Sequence, residues 1–397
     1  MKKTIVAASL LLAMSANLYA QDQKDGYQFT PVKELKITSI KNQNRTGTCW
    51  CFSTLSFLES ELIRMGKGEQ DLSEMFVVSH AYKDKADKYV RLHGYLNFAQ
   101  GGSFIDPLYV WKKYGMVPEE VMKGLNYGEN MHAHSEMESA AGEYLKAIIK
   151  NPNRKLTTAW KRGFDGIIDA YLGEAPETFT YEGKEYTPKS YAASLGLNMA
   201  DYVELTSFTH HPYYEAFEVE VPDNWEHAKM FNLPLDELME VTDYALKNGY
   251  SVCWDGDVSE KGFSFKNGVA INPELKKVED YSNTDRARFE KMDEKERMEE
   301  AYKFEQPFPE VKVTPEVRQQ GFESFVTTDD HLMHLTGIAK DQNGTKYYVT
   351  KNSWGTERNT FGGYLNMSES YVRAKTIYIM IHKDALPKAL RSKLGIK

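Results

Sequence analysis

Cysteine is scarce: Cys49, Cys51 and Cys253 are the only three in 397 residues. An odd count this small excludes a disulfide framework, and no Cys-x-x-Cys pair is present to suggest a dithiol oxidoreductase. After residue 20 no apolar run reaches the about 18 residues that a membrane-spanning helix needs, so no membrane span is expected. Surplus positive charge is missing too. With 49 Lys and Arg against 57 Asp and Glu the net charge is −8, which leaves nothing to replace the counterions of a nucleic acid and excludes that partner. Internal repeats at solenoid spacing and low-complexity linkers are also lacking.

What is there begins with a leader. Lys2-Lys3, an apolar stretch from Ile5 to Met14 and the small residue Ala20 read as a secretory signal over 1–20, which places the mature chain outside the inner membrane, in the periplasm. Its removal takes the net charge to −10. A free thiol in an oxidising compartment then asks for a chemical reason. At 41% apolar and 13% aromatic the chain buries enough surface to fold, and its length suits two lobes meeting at a cleft better than one core.

Local pattern supplies the organisation. Cys51, Phe52, Leu55, Leu58, Leu62 and Ile63 fall at helical spacing and predict a buried helix from about Cys49 to Met65, stopped by Gly66. Helical patterns also cover Pro107–Tyr114 and Leu235–Lys247, the second closed by Asn248-Gly249 and followed by a strand-like Tyr250–Trp254. The charged stretch Asp285–Lys303 reads as one solvated helix. Phe325–Thr328, His331–Ala339, Lys346–Lys351 and Thr376–Ile381 are β-branched and aromatic, and predict strands. Helices first and strands later imply an α+β protein with a helical lobe, an antiparallel β lobe and a site between them.

The chemistry centres on Gln43-Asn44-Arg45-Thr46-Gly47-Thr48-Cys49-Trp50. A helix N-terminus favours the thiolate, because unpaired N–H groups and the helix dipole present positive potential there. Cys49 stands at that point, and the Gln43 amide is a candidate oxyanion donor beside the Cys49 backbone N–H. Between His331 and Asn352, Asp341-Gln342-Asn343-Gly344 signals a hairpin. A loop of two or four residues gives paired positions an odd sum, which puts Asn352 on one face with His331, Met333 and Leu335, and not with His334; a bulge reverses the parity. An asparagine bonded to one imidazole nitrogen fixes the tautomer and frees the other nitrogen for proton exchange with a thiol. A zinc site from Cys49, Cys51, His331 and His334 is disfavoured, since strand and helix geometry send each pair apart. His210-His211-Pro212 reads as a turn.

These residues resemble the papain-like cysteine peptidases, and within them the bleomycin hydrolase or aminopeptidase C branch. Gln43 with Cys49-Trp50 is similar to the oxyanion and nucleophile motif, and Asn352-Ser353-Trp354-Gly355 with Gly362-Gly363-Tyr364 to the asparagine motif and the strand after it. Leu72-Ser73-Glu74 and Gly101-Gly102-Ser103 resemble two further signatures, and His331-Leu332-Met333 the branch's histidine segment. His331 follows Cys49 by 282 positions, against the about 130–150 of short papain-type enzymes. Tyr171–Tyr191 and Ala245–Lys261 also resemble the branch, so the likeness covers nearly the whole mature chain.

The resemblance implies a papain-like two-lobe fold with a large helical insertion: an N-terminal segment and helical lobe over 21–125, the insertion over 126–205, and a β lobe with a C-terminal helix over 206–397. It implies catalysis by Cys49, His331, Asn352 and Gln43, peptide binding at Gly101, Gly102 and Trp354, peptide substrates, no metal or cofactor, and a homo-oligomer, hexameric in the branch. Three departures are visible. Thr46 stands where many secreted relatives have a disulfide cysteine, so other contacts must hold that loop. Cys51 adds a second thiol, expected to face the core, as is Cys253. In the branch a terminal arm lies in the cleft and its carboxylate pairs with the substrate amine, which makes an aminopeptidase; here Leu386–Lys397 reads as a short helix with little arm. The alternatives to an aminopeptidase are therefore an open-cleft endopeptidase and a catalytically silent peptide binder.

Overall fold

A computed structural model describes residues 26–397 apart from 153 and 154. The expected leader over 1–20 lies outside the described residues. The helices are α1 (Cys49–Arg64), α2 (Glu74–Arg91), α3 (Ile105–Lys113), α4 (Ser135–Ile149), α5 (Ala159–Leu172), α6 (Pro188–Leu195), α7 (Leu235–Lys247), α8 (Asn283–Phe289), α9 (Glu294–Ala301), α10 (Pro315–Glu323), α11 (Glu369–Lys375) and α12 (Lys388–Lys393). The strands are β1 (Thr30–Glu34), the hairpin pair β2 (Phe179–Tyr181) and β3 (Lys184–Tyr186), then β4 (Tyr202–Thr206), β5 (Ala216–Glu218), β6 (Lys229–Asn232) and β7 (Val252–Gly256). After them come β8 (Phe263–Ser264), β9 (Val269–Ala270), β10 (His331–Lys340), β11 (Lys346–Lys351), β12 (Tyr364–Ser368) and β13 (Thr376–His382).

One mixed sheet organises the β lobe, in the order β5-β6-β4-β13-β7-β10-β11-β12-β9-β8, with β1 added on β10. Strand alternation splits it into two cores. Cys253, Leu332, Tyr378 and Met380 face the helical lobe, whereas Val252, Trp254, Met333, Leu335 and Ile379 face a second core closed by α7, α11 and α12. The C-terminal helix therefore packs, through Leu390 and Leu394, on the sheet face turned away from α1.

Every residue of α1 from Cys49 to Leu62 is buried, so this helix is wrapped on all sides and its polar groups need internal partners. They have them. The Thr54 hydroxyl bonds the Trp50 carbonyl at 2.7 Å, Ser60 bonds the Ser56 carbonyl at 3.0 Å, and the Ser56 hydroxyl meets His334 Nδ1 at 3.0 Å. Glu59 accepts from the Thr38 hydroxyl, the Leu72 N–H and Lys41. Lys41 in turn bonds Glu74 at 2.7 Å and Asp71 at 2.7 Å, so one ammonium ties the pre-nucleophile segment to α1 and α2.

Tertiary structure refines or changes four expectations. The helices of 126–205, expected as an insertion, continue the core of the helical lobe: Met137, Ala141, Leu145, Phe164 and Ile168 share one cluster with Leu55 and Leu58. The expected single helix over Asp285–Lys303 is two, because Asp293 caps α9 with a reciprocal Glu296 box and Phe289 turns into a small core with Tyr281, Ala301 and Phe308. Phe325–Thr328 is not a strand. The Val326 and Thr327 N–H groups both bond the Gly321 carbonyl to close α10, and Phe325 is left 84% exposed.

The fourth change concerns the hairpin. Lys340 pairs with Lys346, so the loop has five residues, with the Asp341 carboxylate accepting from the Asn343 and Thr345 N–H groups. Five residues give even sums, as in Ile338 with Tyr348. A bulge between Leu335 and Gly337 then restores the odd sum, as in His334 with Lys351. Two departures cancel, and Asn352 arrives on the face of His331 as the simpler count requires.

Removing the Lys41 ammonium leaves two buried carboxylates uncompensated. Lys41→Met is expected to destabilise the fold by about 3–5 kcal/mol, read from urea unfolding of the two proteins.

Candidate active site

Cys49 is the first residue of α1, and Cys51 and Phe52 return their N–H groups to the Thr48 carbonyl. Among the described residues the Cys49 N–H has no partner, which leaves it available at the helix N-terminus. The loop before it is held without a disulfide. The Thr46 hydroxyl bonds the Gln43 carbonyl at 2.9 Å and meets the Thr48 hydroxyl at 2.5 Å, Arg45 bridges to Ala133, and the Asn44 amide bonds the His132 carbonyl at 2.9 Å. Gln100 secures the other side, accepting from the Gly47 N–H at 2.7 Å and, through its carbonyl, from the Trp50 indole at 2.9 Å.

Gln43 is 5% exposed and its amide orientation is set at both ends. The Ser353 hydroxyl donates to Oε1 at 2.6 Å, and Nε2 donates one hydrogen to the Thr46 carbonyl at 2.7 Å. Among the described residues the second Nε2 hydrogen has no acceptor. Ser353 is a positioning residue that sequence reading passed over; its signal lay inside Asn352-Ser353-Trp354.

His331 begins β10, and its Nε2 lies 2.8 Å from Asn352 Oδ1. The same Oδ1 accepts from the Ser353 N–H at 2.7 Å, so it is fixed as an acceptor. Nε2 must therefore carry the proton, and Nδ1 is the basic nitrogen of the neutral ring. Trp354 lies against the imidazole with centroids 4.6 Å apart, backed by Phe263 and Phe265. Its indole keeps water from the His331–Asn352 bond, as well as filling space.

The docking of α1 on the sheet brings the two halves together. The Leu332 backbone N–H, one residue after His331, points at the Cys49 sulfur. Burial pushes the Cys49 thiol up to about 12, helped by Asp255, Asp329 and Asp223, and pushes His331 down to about 4 against the opposing bond from Asn352. Desolvation and the three carboxyls thus oppose the thiolate that the helix terminus favours. With Nε2 bonded to Asn352, His331 Nδ1 is the nitrogen that can exchange a proton with the thiol.

Gly101 and Gly102 lie against the protein's own side chains. A Cβ on Gly101 would sit 1.8 Å from Asp223 Oδ2, and one on Gly102 would meet Asp106 at 2.4 Å and the Trp50 ring at 3.0 Å. The missing carbons make room for the protein's own groups. Among the described residues the Gly102 N–H and C=O make no hydrogen bond, which leaves both for an extended peptide.

The other cysteines are inert. Cys51 is fully buried with its sulfur toward the Glu74 carbonyl, and Cys253 sits against Ser53 and Thr54. His334 faces Ser56, away from His331. Three groups with metal-ligand chemistry do cluster: His210, His211 and Glu220 have donor atoms within 4.8 Å. Each imidazole already meets a Glu220 oxygen at 3.2 Å, and Gln319 meets the other nitrogen of His210, so hydrogen bonding accounts for the group.

A helical lobe carrying a cysteine at a helix start, facing a β lobe that carries a histidine–asparagine pair, defines a papain-like cysteine peptidase. The chain belongs to the Peptidase C1-like family, whose sequence model matches residues 2–300 and 290–396. It is 23% identical over 402 residues to aminopeptidase G of Lactobacillus delbrueckii subsp. lactis, covering 89% of this chain and 83% of that protein. It is 24% identical over 426 residues to aminopeptidase C of Lactobacillus helveticus, covering 94% and 86%. The crystal structure of PepW from Lactobacillus rhamnosis superimposes with a TM-score of 0.67 at 19% identity, over 92% of this chain and 84% of that one. Those neighbours confirm the α+β papain-like fold.

Gln43→Ala removes an oxyanion donor and is expected to lower kcat by about 10²–10³. Because Gln43 also joins Thr46 to Ser353, the same variant should lose about 1–2 kcal/mol of stability. A kcat equal to wild type would remove Gln43 from the mechanism.

Proposed function

We propose that this protein is an exported thiol aminopeptidase that cleaves peptides by acyl transfer to Cys49. The observation that carries the reading is the Cys49 sulfur beside the N–H of Leu332, the residue that follows His331, whose free ring nitrogen is set by Asn352. The Cys49 sulfur attacks the scissile carbonyl as its proton passes to His331 Nδ1, and the oxyanion forms between the Cys49 N–H and the free Gln43 Nε2 hydrogen. His331 then gives the proton to the leaving amine, and the C–N bond breaks to leave a thioester on Cys49. Water attacks that thioester, its proton goes to His331, and the carboxylic acid leaves as the thiol is restored. The names of the related aminopeptidases support exopeptidase action.

Hydrolysis of an unblocked aminoacyl anilide is expected from wild type and not from Cys49→Ser, with a peptide chloromethyl ketone labelling Cys49 alone among the three thiols. A folded wild-type protein that neither turns over nor labels would leave a peptide-binding protein. Export rests on Lys2-Lys3, Ile5–Met14 and Ala20. N-terminal sequencing of the protein recovered from the periplasm should begin at Gln21; an intact Met1 would overturn it.

A further inference from the structure

The glycine segment beside the nucleophile is held from behind by one ammonium. Lys85 lies in α2 and is 1% exposed. Its Nζ donates to the Ala99 carbonyl at 3.1 Å and to the Gly101 carbonyl at 2.6 Å. The carbonyl between them, on Gln100, is turned to the Trp50 indole and accepts from it at 2.9 Å. Successive carbonyls thus alternate in direction, as they do in extended backbone, and the two on the Lys85 side are both taken. Burial pulls the Lys85 pKa down, and the fields of Asp106, Asp223 and Glu138 oppose that pull, so the carboxyls around the segment favour the charged form with its three donors.

The peptide unit between Gly101 and Gly102 is trans. In a planar trans unit the carbonyl of the first residue and the N–H of the second point in opposite directions. A Gly101 carbonyl fixed on Lys85 therefore turns the Gly102 N–H away from α2. That N–H has no partner among the described residues, and Gly102 packs on the ring of Trp50, the residue after Cys49. Two adjacent glycines have no Cβ to resist rotation of the unit that joins them. Rotated by half a turn, the unit would put the Gly101 carbonyl where the N–H now stands, and an acceptor would replace a donor.

We propose that Lys85 is a positioning residue that sets the hydrogen-bonding polarity of the segment: by holding the Gly101 carbonyl it presents the Gly102 N–H as a donor to a carbonyl of the peptide substrate. This deepens the peptidase reading and rests on its placing of a peptide along Gly102. Lys85 acts through one peptide plane. It governs what binds along the segment and leaves the chemistry of the Cys49 sulfur alone.

The experiment compares two reagents for Cys49 in wild type and Lys85→Met. A dipeptidyl chloromethyl ketone needs the segment in order to bind, whereas iodoacetamide is too small to use it. In the variant the KI of the chloromethyl ketone should rise about 10- to 100-fold with its limiting inactivation rate retained, and the iodoacetamide rate should stay within about twofold of wild type. A single alkylated thiol per chain, with Cys51 and Cys253 unmodified, reports that the variant is folded. An unchanged KI in the folded variant overturns the proposal, and so does an equal loss of rate with both reagents. Should Lys85→Met fail to fold, the wild-type adduct decides. Its crystal structure should show the Gly102 N–H donating to an inhibitor carbonyl while the Gly101 carbonyl stays on Lys85; a Gly101 carbonyl turned to the inhibitor overturns the assignment. Neither arm needs turnover, so a wild type that labels and hydrolyses nothing fails the peptidase reading alone.

Discussion

The site depends on one packing arrangement, the seating of α1 across the centre of the sheet. Cys253 against Ser53 and Thr54, and His334 against Ser56 and the Phe57 ring, fix the helix along β7 and β10. Because α1 is buried along nearly its whole length, it has no freedom to slide without unpairing several polar groups at once. Its first residue is therefore delivered to one place, beside the start of β10. Nucleophile and base come from opposite lobes, yet both are referenced to the same pair of strands.

Electrostatics at that place follow from burial more than from any single charge. A helix terminus offers only a fraction of a unit charge, and it is set against nearly complete removal of water and three acidic neighbours. Burial works against both charged forms, and the imidazole tautomer is decided by an acceptor that two donors share. Trp354 with Phe263 and Phe265 keeps the polar bond dry.

Much of this was legible in the residues, for identifiable reasons. The start of α1, the span of α7 up to Asn248-Gly249 and the strands at His331 and Lys346 follow from periodicity and turn chemistry, which are local. The four residues of the motif likeness, Gln43, Cys49, His331 and Asn352, lie in short segments whose types and order carry the chemistry. What escaped was set by distant partners. Phe289 breaks a charged helical run because Tyr281 and Phe308 are waiting for it, and Phe325 stays out of a strand because Gly321 claims the N–H groups that follow. The place of a Gly101 side chain is taken by the Asp223 carboxylate, which no local pattern announces.

The hairpin that joins His331 to Asn352 carries a counting constraint of its own. Its five-residue turn and the extra residue at Thr336 each invert which side of the ribbon the following residues occupy, and together they leave the imidazole and the amide in register. Length variation at this tip is thereby quantised: homologous chains can gain or shed residues there in twos, while a single insertion or deletion must be matched by gain or loss of the kink, or the amide is carried round to the wrong side and the imidazole loses its anchor.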